Sequence, residues 1–558
     1  MIRNRSGRTS TAAAGLLTAA LATAAALTAA AGGSPAAPPR APWVSANVRV
    51  NAPQLGQYGR AGNALAASAD GSRLLAAWDD AQGACGPPFN RPCPPPNPPG
   101  LTGVGASTDG GRTWTELGPP PPLPEIMTGG HAWIDRGGSG GDESFYLVSR
   151  ARRTDNAKPF LGQVGILVHR GRFEGGRFVW KDARYLGPAR AGDYWRGPAV
   201  AAAKDGSRRV YIAVTNLRQV CGRPSSSGGN IELLHSEDGG DSWSSPVIVS
   251  ADDTIDTADP DDPRCGTRGH FQFTPSISLG PAGEVYVAWQ YGPEFAIDRQ
   301  RFLVQTGAPT LGAGFSRSLD GGRTFSHPRV VATVNSLAEI APAGFDKDLM
   351  NDTPRMAVAT RGPHGGRIYL VYATAVEESD CDNAAFSPTS YSALSSQIYL
   401  VRSDNRGHLW EGPVALGPPV PRTGVKRFFP TIAVRADGTV DVAFFESRET
   451  RLAAGPGNPE CPMPLVSGFF RQGMARSLVD LWSASSADGG VSFSRPLRVT
   501  SETSDWCATQ FDSAGYLFPN FGDYLGIFPG SDRSLLLWTD GRNGVPDAYF
   551  AAVGGAAR

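Results

Sequence analysis

Five short stretches limit what this chain can fold into. Four read Ser107-Thr-Asp109-Gly-Gly111-Arg-Thr113-Trp114, Ser236-Glu-Asp238-Gly-Gly240-Asp-Ser242-Trp243, Ser318-Leu-Asp320-Gly-Gly322-Arg-Thr324-Phe325 and Ser486-Ala-Asp488-Gly-Gly490-Val-Ser492-Phe493. A worn copy is Ser403-Asp-Asn405-Arg-Gly407-His-Leu409-Trp410. The shared pattern is S-x-D-x-G-x-[ST]-[WF]. Asp and Ser side chains bond nearby backbone N–H groups, Gly takes positive φ, and the aromatic closes over the turn. Each stretch, flanked by β-rich runs, reads as a hairpin tip between two strands. From Asp109 to 238, 320, 405 and 488 the motif steps by 129, 82, 85 and 83 residues. The first step has room for two units of about 65 residues, one without the tip. Such a β-rich period predicts one four-stranded sheet per unit, hence an all-β fold, a β-propeller.

The strand pattern places six units between residues 62 and 500. The tail supplies three more strands, at 524–528, 535–538 and 548–553. The segment Val44–Val50 is expected to add the missing fourth, so that an N-terminal strand closes the ring. This predicts seven blades. The alternative is six, with the second unit or the tail as an insertion.

Residues 1–31 read as a signal peptide. Arg3, Arg5 and Arg8 precede the apolar run Ala12–Ala31, and Ala29-Ala30-Ala31 offers small residues for cleavage. A membrane anchor is the alternative, since the run approaches the length of a span. Residues 32–42 form a Pro/Ala-rich linker, and 43–553 form the single propeller. The chain is therefore expected to be secreted, extracellular and, once the signal is removed, free of the membrane. With 52 Lys+Arg against 52 Asp+Glu, it has no charge excess for a nucleic-acid partner. A monomer is expected. Seven cysteines in an exported chain predict disulfides. Cys85 and Cys93 share a loop. Cys221 with Cys265, and Cys461 with Cys507, occupy equivalent loops of their units. Cys381 is left over.

Alternating strands place inner-strand starts and second-strand ends on one face, opposite the turn motifs. That mouth gathers Asp79, Tyr291 and Glu446, with Trp195, Arg196, Arg355, Arg427 and Tyr524. Arginine forks grip carboxylates in a bidentate way, and aromatic faces stack on sugar rings. The bland alternative is that arginines and carboxylates at blade mouths pair with each other and pin the ring.

The five motifs resemble the Asp-box (BNR) repeats of the sialidase superfamily, over nearly the whole mature chain. That resemblance implies a glycoside hydrolase acting on terminal, acidic sugars of glycans without a cofactor. Three arginines would hold the substrate carboxylate, here Arg196, Arg355 and Arg427, with Trp195 and Tyr291 beside them. Tyr524 would be the nucleophile, Glu446 its partner and Asp79 the acid/base. The family's [FY]-R-I-P motif in the first blade is approached by Trp195-Arg196-Gly197-Pro198, in the third unit and with Gly for Ile. Two other readings stand beside the hydrolase: a non-catalytic propeller binding glycan, cell wall or protein, and a polysaccharide lyase. The acidic run Asp252, Asp253, Asp256, Asp259, Asp261 and Asp262 offers oxygens for a structural calcium ion, with a solvated loop as its alternative. No metal site is expected in the mouth.

Overall fold

The computed structural model describes residues 41–555, except 54–59, 84, 86–98, 155–162, 191–192, 221–222, 251–270, 293–310, 335–352, 377–394, 423, 452–473, 510–520 and 523. All of them fall in one compact unit, Pro39–Arg558. The acidic run Asp252–Asp262 lies outside them. So do Cys93, Cys221, Cys265, Cys381 and Cys461, with the pairings expected of them. The two described cysteines, Cys85 and Cys507, are buried and disulfide-bonded.

The described elements are strands apart from two short 3-10 turns. The first sheet holds Arg60–Ala67, Leu74–Asp80, Thr102–Ser107 and Thr115–Glu116 in that order. The other sheets repeat this antiparallel meander. In the second, Gln163–Glu174 and Arg177–Leu186 join through Gly175 and Gly176, both at positive φ. A two-residue glycine turn thus replaces the eight-residue tip motif.

The innermost strands form a closed series. Arg60–Ala67 packs on Trp133–Gly137, which packs on Tyr194–Ala202. The series runs on through Phe271–Leu279, Arg355–Val358, Val425–Val434 and Gly526–Pro529, which returns to Arg60–Ala67. They enclose a channel of about 470 Å³ whose walls include Ala64, Val200, Ser276, Ala357, Ile432 and Gly526. This is a propeller. Backbone hydrogen bonds nevertheless divide the described strands into six sheets, not seven. One parallel bridge, Ser396 to Lys426, joins two antiparallel runs into a single nine-stranded sheet.

The ring closes as expected, with the first and last described strands in one sheet. Trp43–Val44 and Val48–Arg49 pair with Asp547–Gly554. Asp547, fully buried, accepts hydrogen bonds from Arg49 and Asn51 at 2.8 Å each. Asn51 in turn accepts the Ala548 N–H at 2.7 Å.

The tip motifs fold alike. Ser107 Oγ takes the Gly111 N–H at 2.9 Å and donates to Asp109 Oδ1 at 2.9 Å. Asp109 takes the Thr113 N–H at 2.9 Å and its hydroxyl at 2.6 Å. In the worn copy Asn405 still accepts the Leu409 N–H at 2.8 Å, but leucine has no hydroxyl to add. The last glycine of each motif is at positive φ; Gly111, Gly240, Gly322 and Gly407 lie against the preceding sheet, and Gly490 lies against Tyr369 of its own nine-stranded sheet. A Cβ at Gly111 would collide with the Phe550 ring, and one at Gly407 with Phe315. Here the motif latches one sheet to the next, Gly111 doing so across the closure.

Two outcomes follow for stability. Asn51→Ala removes one of the donors to Asp547 and leaves the Ala548 N–H without its acceptor in a buried seam. It is expected to cost about 1–3 kcal/mol, read as a lower urea midpoint at unchanged slope. Burial pushes the Asp109 carboxyl up, but the Thr113 and Ser107 bonds outweigh it and hold the group at about 2. Bonds from Ser242 hold Asp238 well below the usual carboxylate range, and those from Thr324 do the same for Asp320. An unfolded aspartate titrates near ~3.9. A lowered folded value stabilises above that pH, and the contribution is lost as pH falls toward about 2. The thermal midpoint should therefore drop as pH falls from about 4 to about 2, and drop less in Asp109→Asn.

Candidate functional site

Six of the seven inner strands begin with a backbone irregularity at the mouth. Register shifts fall between Ala61 and Ala64, Arg196 and Ala199, Phe273 and Ser276, and Phe428 and Thr431. Inside these bulges Gly62, Gly197, Thr274 and Phe429 have φ of 62°, 56°, 44° and 49°. His131 and Gly522 hold the same place before Trp133 and Tyr524, with φ of 52° and 86°. Two positions after these residues come Ala64, Trp133, Ala199, Ser276, Thr431 and Tyr524, and Arg355 begins the remaining inner strand.

Three of the seven are large, and they meet. The Trp133 and Tyr524 rings lie 5.2 Å apart. The Arg355 guanidinium sits 4.6 Å above Trp133 and 5.3 Å above Tyr524. The four small partners leave room for this stack, which floors the mouth above the channel. The Tyr524 hydroxyl donates to Ala132 O at 3.0 Å. Asp79, half-buried at the end of the neighbouring strand, comes up beside it. A Cβ on Gly62 would lie 3.3 Å from Asp79 Oδ2 and 3.6 Å from Tyr524 Cζ. Asp79 Oδ1 takes the His131 N–H at 2.6 Å, which fixes the carboxylate against the left-handed turn. Glycine at 62 thus satisfies the turn and lets acid and phenol share one pocket.

Asp79, Tyr524 and Arg355, expected in the site, are brought together. Glu446 and Arg427 are not part of this group. They lie opposite each other in register and bond at 2.9 Å while buried. The other Glu446 oxygen takes Arg448, at 2.8 and 3.0 Å. Arg427 Nη1 donates to Gln397, Leu416 O and Pro418 O at 2.9–3.1 Å. The expected Tyr524–Glu446 pair is therefore replaced by an ion pair that pins two strands. Trp195 is also corrected. It is wholly buried, and its indole N–H donates to Glu232 at 3.0 Å. Side chains alternate along a strand, so Trp195 cannot share the mouth with Arg196. Tyr291 packs against the core shared by the third and fourth sheets. The Asp540–Arg542 turn holds the internal ion pair expected of such a sequence, at 2.6 Å.

Arg196 does reach the mouth. Its guanidinium stacks 4.9 Å over the Phe273 ring, and its Nε is buried without an acceptor. Trp133 stands at an inner-strand start of the mouth, as strand direction predicts; His131 and Phe273 are the site residues that sequence reasoning missed. Their signal was the repeated X-Pro at Gly197-Pro198, Thr274-Pro275, Thr353-Pro354 and Phe429-Pro430, which marks equivalent strand starts.

No family model matches the chain, and no curated protein matches it. Solved structures resemble it at low identity. The GH93 alpha-L-arabinofuranosidase of Fusarium graminearum in complex with arabinobiose is 14% identical, covering 72% of this chain and 92% of its own, with a TM-score of 0.40. A PL25 ulvan lyase is 9% identical, covering 92% and 98%, with a TM-score of 0.45. The Hadza microbial sialidase Hz136 is 13% identical, covering 73% of each chain, with a TM-score of 0.28. Likeness at this level carries neither a substrate nor a reaction to this chain.

The two arginines should behave differently on removal. Arg427→Ala breaks a buried pair and is expected to cost about 3 kcal/mol, seen as a large fall in the denaturation midpoint. Arg196→Ala loses only its contact with the Phe273 ring and should lower that midpoint much less.

Proposed function

We propose that this chain is an exported glycoside hydrolase that takes terminal sugars of glycans at the propeller mouth. The observation that carries this reading is the placement of Asp79 beside Tyr524, over a floor of Trp133, Tyr524 and Arg355. Aromatic faces accept the apolar face of a sugar ring, and the guanidinium edge donates to its oxygens. Asp79 is the acid. It gives its proton to the glycosidic oxygen as the C–O bond breaks, and the aglycone leaves as an alcohol. Water then adds at the anomeric carbon and returns a proton to the Asp79 carboxylate. Tyr524 shapes the pocket, since its hydroxyl is held by Ala132 O and Glu446 is engaged elsewhere. Sialic acid remains the first sugar to test. The export half of the proposal rests on the composition of residues 1–31. We count the nine-stranded sheet as two blades, and so infer seven; the single bridge between its halves supports this.

A polysaccharide lyase is the second reading, favoured by one contact. The Arg355 guanidinium over the Tyr524 ring would stabilise the phenolate that abstracts a proton beside a uronate carboxylate.

A panel of fluorogenic glycosides, led by sialic acid and including arabinofuranose, tests the hydrolase. Asp79→Asn is expected to lower kcat by about 10²–10⁴ at an unchanged melting temperature. Unsaturated, ultraviolet-absorbing product from uronate polymers, without glycoside turnover, would instead establish the lyase. Silence in both assays would leave a binding propeller.

A further inference from the structure

We propose that the cleft beneath the first tip motif, where the ring closes, is a second glycan-binding site that seats one neutral sugar unit against Trp43. It lies on the face opposite the mouth and takes no part in bond cleavage. It rests on the glycan reading above only for the nature of its ligand.

The cleft is open because one pair of large side chains is replaced there. At the other four tip motifs, the strands that receive the tip set a tyrosine opposite a basic residue. These pairs are Tyr146 with Arg170, Tyr211 with His235, Tyr286 with Arg317 and Tyr369 with Arg402. The arginines hold the tip by its backbone. Arg170 donates to Gly239 O at 2.8 Å, Arg317 to Arg406 O at 2.6 Å and Arg402 to Gly490 O at 2.8 Å. The closing sheet meets its tip in the same register: Phe550, two residues before Ala552, takes Gly111 as Phe315, two residues before Arg317, takes Gly407. Its pair, however, is Leu535 with Ala552. Smaller apolar side chains stand where a phenol and a guanidinium stand elsewhere, and a cleft of about 350 Å³ remains. The tip itself is also unengaged. At the equivalent position of their motifs, Arg323 pairs with Glu237 and Asp241 with Arg170, each in the preceding unit. Arg112 is exposed and has no carboxylate partner among the described residues.

The lining suits a ring with an apolar face and a hydroxyl rim. Trp43, half-buried, lies across Gly554, where an added Cβ would come within 2.5 Å of the indole. The Arg533 guanidinium sits 5.6 Å from the Trp43 ring centre. Leu535, Phe550 and Ala552 give the cleft an apolar floor, and the Asp70-Gly71 turn and the Asp109–Arg112 tip form its far wall. That wall is open at its lip, since a Cβ on Gly71 would meet nothing within 4 Å. An indole face takes the C–H face of a sugar ring, while guanidinium and carboxylate groups beside it give and take hydroxyl hydrogen bonds. Arg112 and Arg533 are balanced on these walls by Asp70 and Asp109. With no excess of either sign, the cleft selects an uncharged unit.

The test uses the full chain carrying Asp79→Asn, so that binding is read without turnover. Galactan, mannan and arabinan tetrasaccharides are titrated calorimetrically. At least one is expected to bind in a way that Trp43→Ala weakens about tenfold or more. Because Trp43 belongs to the closing strand, a second variant fills the cleft instead: Leu535→Tyr with Ala552→Arg installs the pair found at the other tips. It should remove the same binding without lowering the denaturation midpoint. Trp133→Ala, which removes the platform of the mouth, should leave that binding in place. Absence of binding by all three sugars, or binding that survives both cleft variants, would overturn the proposal. So would a synthetic peptide of residues 32–42 that binds in place of every sugar, because the cleft would then belong to the chain's own linker. The two readings fail separately. Cleft binding without glycoside turnover keeps this site and removes the hydrolase, whereas turnover with binding indifferent to the cleft variants does the reverse.

Discussion

A left-handed residue at the start of six of the seven inner strands shapes the mouth where Trp133, Arg355 and Tyr524 meet. The turn costs nothing special at Gly62, Gly197 and Gly522. At Thr274 and Phe429 it carries strain on the order of 1–3 kcal/mol each. The surroundings hold it in place. Thr274 N–H donates to Thr215 at 3.0 Å, and its hydroxyl lies 2.7 Å from that of Thr353. Phe429 is buried edge-on against Phe428. The bulges also touch around the ring, since a Cβ on Gly522 would overlap the Gly62 backbone. The result is a collar that sets the height and direction of Trp133, Arg355 and Tyr524 together.

Below the collar, the sheets are held by a second, different device. The tip motifs sit on the opposite face, and the glycines of four of them lie against aromatic residues of the preceding sheet. The same local sequence therefore shapes a hairpin and fixes its neighbour. Mouth and tips are secured independently. This lets the mouth carry a half-buried cation such as Arg196 without loosening the ring.

What was legible in the sequence was what is local. The motif around Asp109 or Asp320 is closed by bonds within eight residues, so its turn is readable residue by residue. The closing strand was readable because Val44–Val50 had no other partner. Asp79 and Tyr524 were reached from strand direction alone. Failures came where a pairwise fact decided the outcome. Arg427 and Glu446 both belong to strand ends at the mouth, but the register sets them directly opposite, and a cross-strand pair of opposite charge satisfies itself. Trp195 and Arg196 are neighbours in sequence, and the two-residue period of a strand sends them to opposite sides. The collar was hidden because its left-handed positions are filled by glycine, histidine, threonine and phenylalanine. Their common mark is instead the proline that often follows.

The seam between Val48–Arg49 and Asp547–Gly554 joins segments that are about as far apart in sequence as this propeller allows. During synthesis the early strand is made first and its partner last. Until then it has nothing to pair with, and the final sheet presents an open edge. The ring therefore cannot be completed progressively as the chain emerges. Its last blade is a checkpoint on full length: a chain cut short anywhere before Asp547 keeps its first strand unpaired, whatever the state of the blades between.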